Sequence, residues 1–283
     1  MQQNLTYIFF FLSFESSIIL TIADYGNNIS MKNIQNIRYP IIEASQDLGI
    51  QSHSYKQKGV DISEVEIDKV ASRKTGRKEG FYLTISPTPQ IKGDTLANVL
   101  NTSIKKIIRK VDVKEGKILV VGLGNENVIV DALGNEVIKR ICTGGKIFYL
   151  SAIAPKVADI TGIKSFDIVK AISEYHKPNL IIAIDTLATN YISRLGNCFQ
   201  LTSAGICPGS GVDNAQPCLD GNSLPSPVIA IGVPLIISVG SIMGDKSDKY
   251  SRYMLTPRDV DTLVDNCADV IAAAINALGS ENF

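Results

Sequence analysis

Residues 117–124 read KILVVGLG, residues 180–185 read LIIAID and residues 228–233 read VIAIGV, and these three runs decide the fold. Each is a short apolar stretch without alternation, the pattern of a strand covered on both faces. Helical patterns separate them, one from about Asp131 to Cys142 and one carrying Phe166, Ile168, Val169 and Ile172, with a further strand at Lys146–Leu150 (KIFYL). Strand and helix in repeated alternation predict an α/β fold with a mixed, largely parallel sheet flanked by helices.

Working outward, the N-terminal part of the body reads as a smaller α+β elaboration. Val60, Ile62, Val65 and Ile67 nearly alternate, and Phe81–Ile85 is rich in strand formers, so two strands flank the charged stretch Asp68–Lys78. Asp94 or Thr95 then caps a helix whose Leu96, Val99, Leu100, Ile104, Ile107, Ile108 and Val111 share one face. The chain closes on a helix signed by Thr256 as cap, Pro257 in the first turn and Asp259 at the positive dipole end, with Val264, Cys267, Ile271, Ile275 and Leu278 on its buried stripe.

The segment Leu5–Ile22 is apolar enough to invite a reading as membrane span or secretion signal. No Lys or Arg precedes Lys32 and Glu15 stands in mid-segment, which argues against both. Residues 1–30 are therefore expected to be a leader or a mis-called start, with 31–283 forming one α/β domain whose strand-containing elaboration lies at about 55–90.

Composition excludes several roles. With 28 Lys plus Arg against 28 Asp plus Glu in 283 residues, there is no basic surplus for nucleic acid. Five cysteines, at 142, 198, 207, 218 and 267, show no zinc or redox spacing and read as reduced thiols. Only two histidines occur, His53 and His176, so a three-histidine metal site is impossible. No cofactor and no metal ligand set is expected. Gly122-Leu123-Gly124 imitates the start of a dinucleotide fingerprint, but Asn127 stands at the third glycine and the next strand brings no ribose-binding acid.

Catalytic groups of open α/β sheets gather outside the carboxyl ends of the strands. Asp185 ends LIIAI directly, and Asp131 lies in the loop after KILVV. If those strands are neighbours the two carboxyls share one crevice and one proton, so that one activates water while the other polarises a carbonyl. Plain structural roles remain open for both: Asp131 as a helix N-cap, Asp185 as a loop hydrogen-bond acceptor. Gly124, Asn125, Gly209, Ser210 and Gly211 sit in two glycine-rich loops able to offer backbone N–H groups to a substrate.

VVGLGNENVIVDALGNEVI, SAIAPKVADITGI, LIIAIDTLA, SAGICPGSGVDN, PVIAIGVP and MLTPRDVDTLVDNCADVIAAAINAL occur in that order. With the weaker blocks GVDISEVEI and TGRKEGFYLTI, they resemble the germination protease family of spore-forming bacteria. The resemblance implies an endopeptidase that begins degrading small acid-soluble spore proteins. It also implies a self-processing zymogen, a homotetramer and a cytoplasmic location in the spore core, with no membrane partner. It puts the family's catalytic aspartates on Asp131 and Asp185. The family's propeptide cleavage stretch falls on Arg38-Tyr39-Pro40-Ile41, making Pro40 and Ile41 the candidate processing point. The GLGN turn and its acid are also similar to hydrogenase-maturation endopeptidases, which leaves a metal-assisted alternative. A degenerate, non-catalytic homologue is the other. The chain departs from the family in Arg38-Tyr39-Pro40-Ile41, where an Arg-Thr-Asp-Leu-like stretch is usual, in Val130, where proline is usual, and in a shortened segment Leu235–Met254.

Overall fold

The computed structural model describes residues 50–208, 217–243 and 253–280. The expected leader at 1–30, the processing candidates Pro40 and Ile41, and the loop candidates Gly209, Ser210 and Gly211 lie outside the described residues.

Among the described residues one mixed sheet of nine strands forms, in the order β1 (Ser52–Gln57), β2 (Val60–Ile67), β3 (Gly80–Ser86), β7 (Phe199–Thr202), β8 (Val228–Ser238), β6 (Leu180–Thr189), β4 (Gly116–Gly122) and β5 (Phe148–Ile153). A two-residue strand, β9 (Met254–Leu255), adds to β8. The half built from the three deciding runs is parallel, β5 with β4, β4 with β6 and β6 with β8. The other half is antiparallel, so β1–β3 continue the same sheet.

Alternation along the parallel strands sorts side chains onto two faces. Ile118, Val120, Ile182, Ile184, Ile229 and Ile231 join a core with α2 (Gly93–Lys110), α3 (Leu133–Ile138) and α7 (Val260–Ser280). Leu119, Val121, Ile181 and Ala183 face the other way, toward α5 (Ser165–His176) and the loop residues Leu219 and Leu224. Two covered faces explain why these strands show no polar alternation.

Several boundaries differ from expectation. The charged stretch after β2 contains α1 (Lys69–Thr75), whose N-cap Asp68 accepts from Ala71 N–H at 2.7 Å. Helix α2 begins at Gly93 on an N-cap, Lys92, that makes no side-chain capping bond, so neither Asp94 nor Thr95 caps it. The KIFYL strand is displaced to Phe148–Ile153, because its ladder with β4 starts at the pair Gly116↔Phe148. The final helix starts at Val260, since the pairs Ile237↔Leu255 and Ser238↔Met254 keep the chain extended through Leu255. Leu263 N–H then bonds to Asp259 C=O at 3.0 Å, which makes Asp259 the half-helical flanking residue.

The cysteine expectation is corrected at two of five positions. Cys207 and Cys218 form a disulfide, while Cys142, Cys198 and Cys267 are not disulfide-bonded. Ile206 and Leu219 exchange both backbone hydrogen bonds, at 2.9 and 2.8 Å, which puts their neighbours opposite each other. Gly205, at φ +74° with its Cα against Leu219 C=O, allows that close approach. No helix of the described residues is long and apolar enough to cross a membrane.

Candidate functional site

The order β5-β4-β6 places a topological switch point between β4 and β6. The chain leaves β4 for β5 on one side through α3, and returns past β4 to β6 on the other through α5, on the opposite face of the sheet. Crevices for ligands open at such points, at the carboxyl ends of the strands. The β4–β6 ladder ends at the pair Gly122↔Ile184, and Leu123 N–H still reaches Ile184 C=O at 2.8 Å. Asp185 is the next residue of β6, where β4 turns away.

Asp185 is 8% exposed and paired with Gly232 across the β6–β8 ladder. Its Oδ1 accepts from Thr186 N–H at 2.9 Å. Burial, and then the nearby Asp131 carboxylate, push its pKa up to about 8, against a small opposing pull from the Thr186 N–H.

After Gly124 the chain makes a compact turn. Asn125 Oδ1 accepts from Asn127 N–H at 3.0 Å, and Val128 N–H bonds to Asn125 C=O at 3.0 Å. A 3-10 turn, Ile129–Asp131, leads into α3. Asp131 Oδ2 accepts from Asn125 N–H at 2.8 Å. Burial raises the Asp131 pKa while that backbone bond lowers it. The N-cap reading is corrected here: the residue flanking α3 is Ala132, α3 has no side-chain cap, and the carboxylate of Asp131 turns back into the loop. Helix α3 is also shorter than the expected run to Cys142.

Two glycines make this packing possible. A Cβ on Gly124, at φ +102°, would lie 1.9 Å from Asp131 C=O, and one on Gly134 would lie 2.4 Å from Leu123 C=O and 2.7 Å from Ile184 C=O. The start of α3 therefore rests directly on the ends of β4 and β6. Gly124 and Asn125 build the turn that holds Asp131. Asn135, which sequence reasoning passed over, lies beside them, 2% exposed, donating from Nδ2 to Gly124 C=O at 3.1 Å. Nothing in its local pattern separated it from an ordinary helix residue.

Other sequence candidates stand apart from the carboxyl pair. His53 is on β1, separated from β6 by four strands. His176 ends α5 just before β6 begins, at the amino end of that strand, with Nε2 3.1 Å from Ser151 Oγ. Cys207 is in the disulfide. Of the basic stretch 73–78, Lys78 is not merely solvated: it pairs with Asp220, which is 7% exposed. Among the described residues no group of three or more His, Cys, Asp or Glu forms a metal-holding cluster.

A sequence model of the germination protease family matches residues 29–251. The germination protease of Oceanobacillus iheyensis is 37% identical over 232 residues, 75% of this chain and 63% of that protein. That of Bacillus cereus strain AH187 is also 37% identical, over 218 residues, 71% of this chain and 59% of that protein. The chain thus spans about three-fifths of the length of these curated relatives. Among solved structures, the [NiFe] hydrogenase maturation protease HycI from Thermococcus kodakarensis KOD1 is 15% identical, aligned over 60% of this chain and 98% of that one, with a TM-score of 0.35. Pyroglutamyl peptidase I of Bacillus amyloliquefaciens aligns over 56% of this chain and 98% of its own at 13% identity, with a TM-score of 0.27.

Proposed function

We propose, from the premise that this chain belongs to the germination protease family, that it is an endopeptidase in which Asp131 and Asp185 activate one water molecule. The observation that carries the reading is the meeting of a buried carboxyl, Asp185, and a half-buried one, Asp131, at the β4–β6 switch point, each with its pKa raised. Two acids so placed divide their roles by environment. Asp185, the more deeply buried and flanked by the other charge, holds the proton. Asp131, with a backbone N–H on Oδ2, carries the charge.

Attack then follows the balance of an acid–base pair. Asp131 takes a proton from water as its oxygen adds to the scissile carbonyl carbon, and Asp185 gives its proton to the carbonyl oxygen. Collapse of the tetrahedral intermediate breaks the C–N bond, the amine leaves with the proton held by Asp131, and Asp185 recovers its own from the gem-diol. Val128 and Ile129, 45% and 53% exposed just before Asp131, give an extended polypeptide an apolar surface to lie on.

By family membership the substrates are small acid-soluble spore proteins, the chain is made as a self-processing zymogen, and it works as a homotetramer in the spore core. In this reading residues 1–30 are a leader or a mis-called start and 31–283 a single peptidase domain; the continuity of the sheet from β1 to β5 supports one domain for the described residues.

The test is incubation of the full chain with a small acid-soluble spore protein, read by mass spectrometry for substrate cleavage and for new N-termini of the chain itself. Discrete internal cleavage that persists through stringent chelation is expected. No cleavage by folded protein would point to a degenerate homologue, and loss on chelation restored by a divalent ion to metal assistance.

A further inference from the structure

The Gly124–Asn125 peptide unit is held from both ends. Its C=O accepts from Asn135 Nδ2 at 3.1 Å and its N–H donates to Asp131 Oδ2 at 2.8 Å. A hydrogen bond at a peptide oxygen polarises the amide and makes the N–H on the other side a better donor. The two bonds therefore form one chain, from the buried Asn135 amide through a single peptide group to the Asp131 carboxylate. The geometry points to Asn135 as a positioning residue that sets the ionisation of Asp131 through this peptide, and so fixes which acid of the pair carries the charge.

Three observations favour this over simple packing. Asn135 is 2% exposed, yet its Oδ1 is buried with no hydrogen-bond partner, so the side chain occupies the position at a cost that an apolar residue of similar size avoids. Among the described residues its one side-chain hydrogen bond is that to Gly124 C=O. Gly134 seats α3 on the backbone of Leu123 and Ile184, which presents the following residue, Asn135, to the turn.

The charged surroundings leave the peptide as the main favourable contact of the carboxylate. From β6 the facing group is Asp185, which raises rather than lowers the tendency of a neighbour to hold a proton. Glu126, on the same loop, pairs with Lys156. Helix α7 packs against the 3-10 turn, and its Asp265 and Asp269 are engaged by Arg140. On Asp131 itself burial favours the protonated form and the Asn125 N–H favours the charged one.

The proposal rests on the dyad reading for its functional meaning, but its test does not need activity. In the full chain, labelled at aspartate carboxyls and amide nitrogens, Asp131 is titrated by NMR. The Asn135 side-chain amide is expected to shift with the same midpoint as Asp131, and the Asn125 N–H with it. A flat Asn135 amide across that titration overturns the proposal. Asn135→Leu, which keeps the branched shape and removes the donor, is expected to raise the Asp131 midpoint by about 0.5 to 1 pH unit, with Asn135→Ala giving the same direction if the larger leucine is not accommodated. A folded variant with an unchanged midpoint overturns it too. If the cleavage test fails while these shifts appear, the electrostatic relay stands and the peptidase reading falls.

Discussion

Asp131→Asn and Asp185→Asn are each expected to lower kcat/KM for cleavage of a small acid-soluble spore protein by about 10³-fold or more, with the fold retained. The two losses have different causes. Asn at 131 accepts a hydrogen bond from Asn125 N–H but cannot take a proton from water, so the nucleophile is never formed. Asn at 185 still offers an N–H toward a carbonyl oxygen but has no proton to transfer, so polarisation survives in part and proton donation does not. Asp131→Asn should accordingly be the more severe. Because the two groups act as a unit, the double variant should lose little beyond Asp131→Asn alone. Steady-state cleavage beside far-ultraviolet circular dichroism reads this, and full activity in either folded single variant removes the dyad.

Stability should move in the opposite direction at one of these positions. Folded Asp185 keeps its proton up to about 8, whereas in the unfolded chain it ionises at the ordinary carboxylate value, 3.8. Between those values the unfolded chain has released a proton that the folded chain retains. The contribution is thus fully present below about pH 4 and is lost as pH rises through about 8, at up to ~1.4 kcal/mol per pH unit. An amide does not titrate, and Asn Oδ1 can keep the bond from Thr186 N–H. Asp185→Asn should therefore match the wild-type chain near pH 4 and exceed it by several kcal/mol, on the order of 5, near pH 8. Urea unfolding across that range reads the difference, and two parallel curves would mean that Asp185 is not held protonated by the fold. A buried acid inside strand β6 that weakens the fold at neutral pH fits the proposed catalytic role, since such costs gather at functional sites.

The parallel half of the sheet was legible because its strands are buried on both faces and so are written as unbroken apolar runs, KILVV, LIIAI and VIAIGV. Asp185 stood out for the same reason, as an acid set against five apolar neighbours. The edge strand β1 was not legible: SHSYKQ is polar throughout, and its pairing with β2 is backbone bonding that leaves no mark on side-chain type. Strand β7 is only four residues long, and α1 hides in a charged stretch because its helix is signed by Asp68 and Gly76 rather than by an apolar face. The Cys207–Cys218 bridge depends on a two-residue bridge pairing that spacing in sequence does not encode. Asn135 was missed because its role lies in one hydrogen bond to a carbonyl eleven residues back, set by how closely Gly134 lets α3 approach.

The most direct test of a coupled carboxyl pair is the NMR titration of the Asp185 carboxyl in the wild-type chain and in Asp131→Asn. The account predicts a midpoint near 8 in the wild type and a lower one when the neighbouring charge is gone, with burial holding it above the ordinary carboxylate range. A wild-type midpoint near 4, or one that does not respond to the loss of the Asp131 charge, would contradict it.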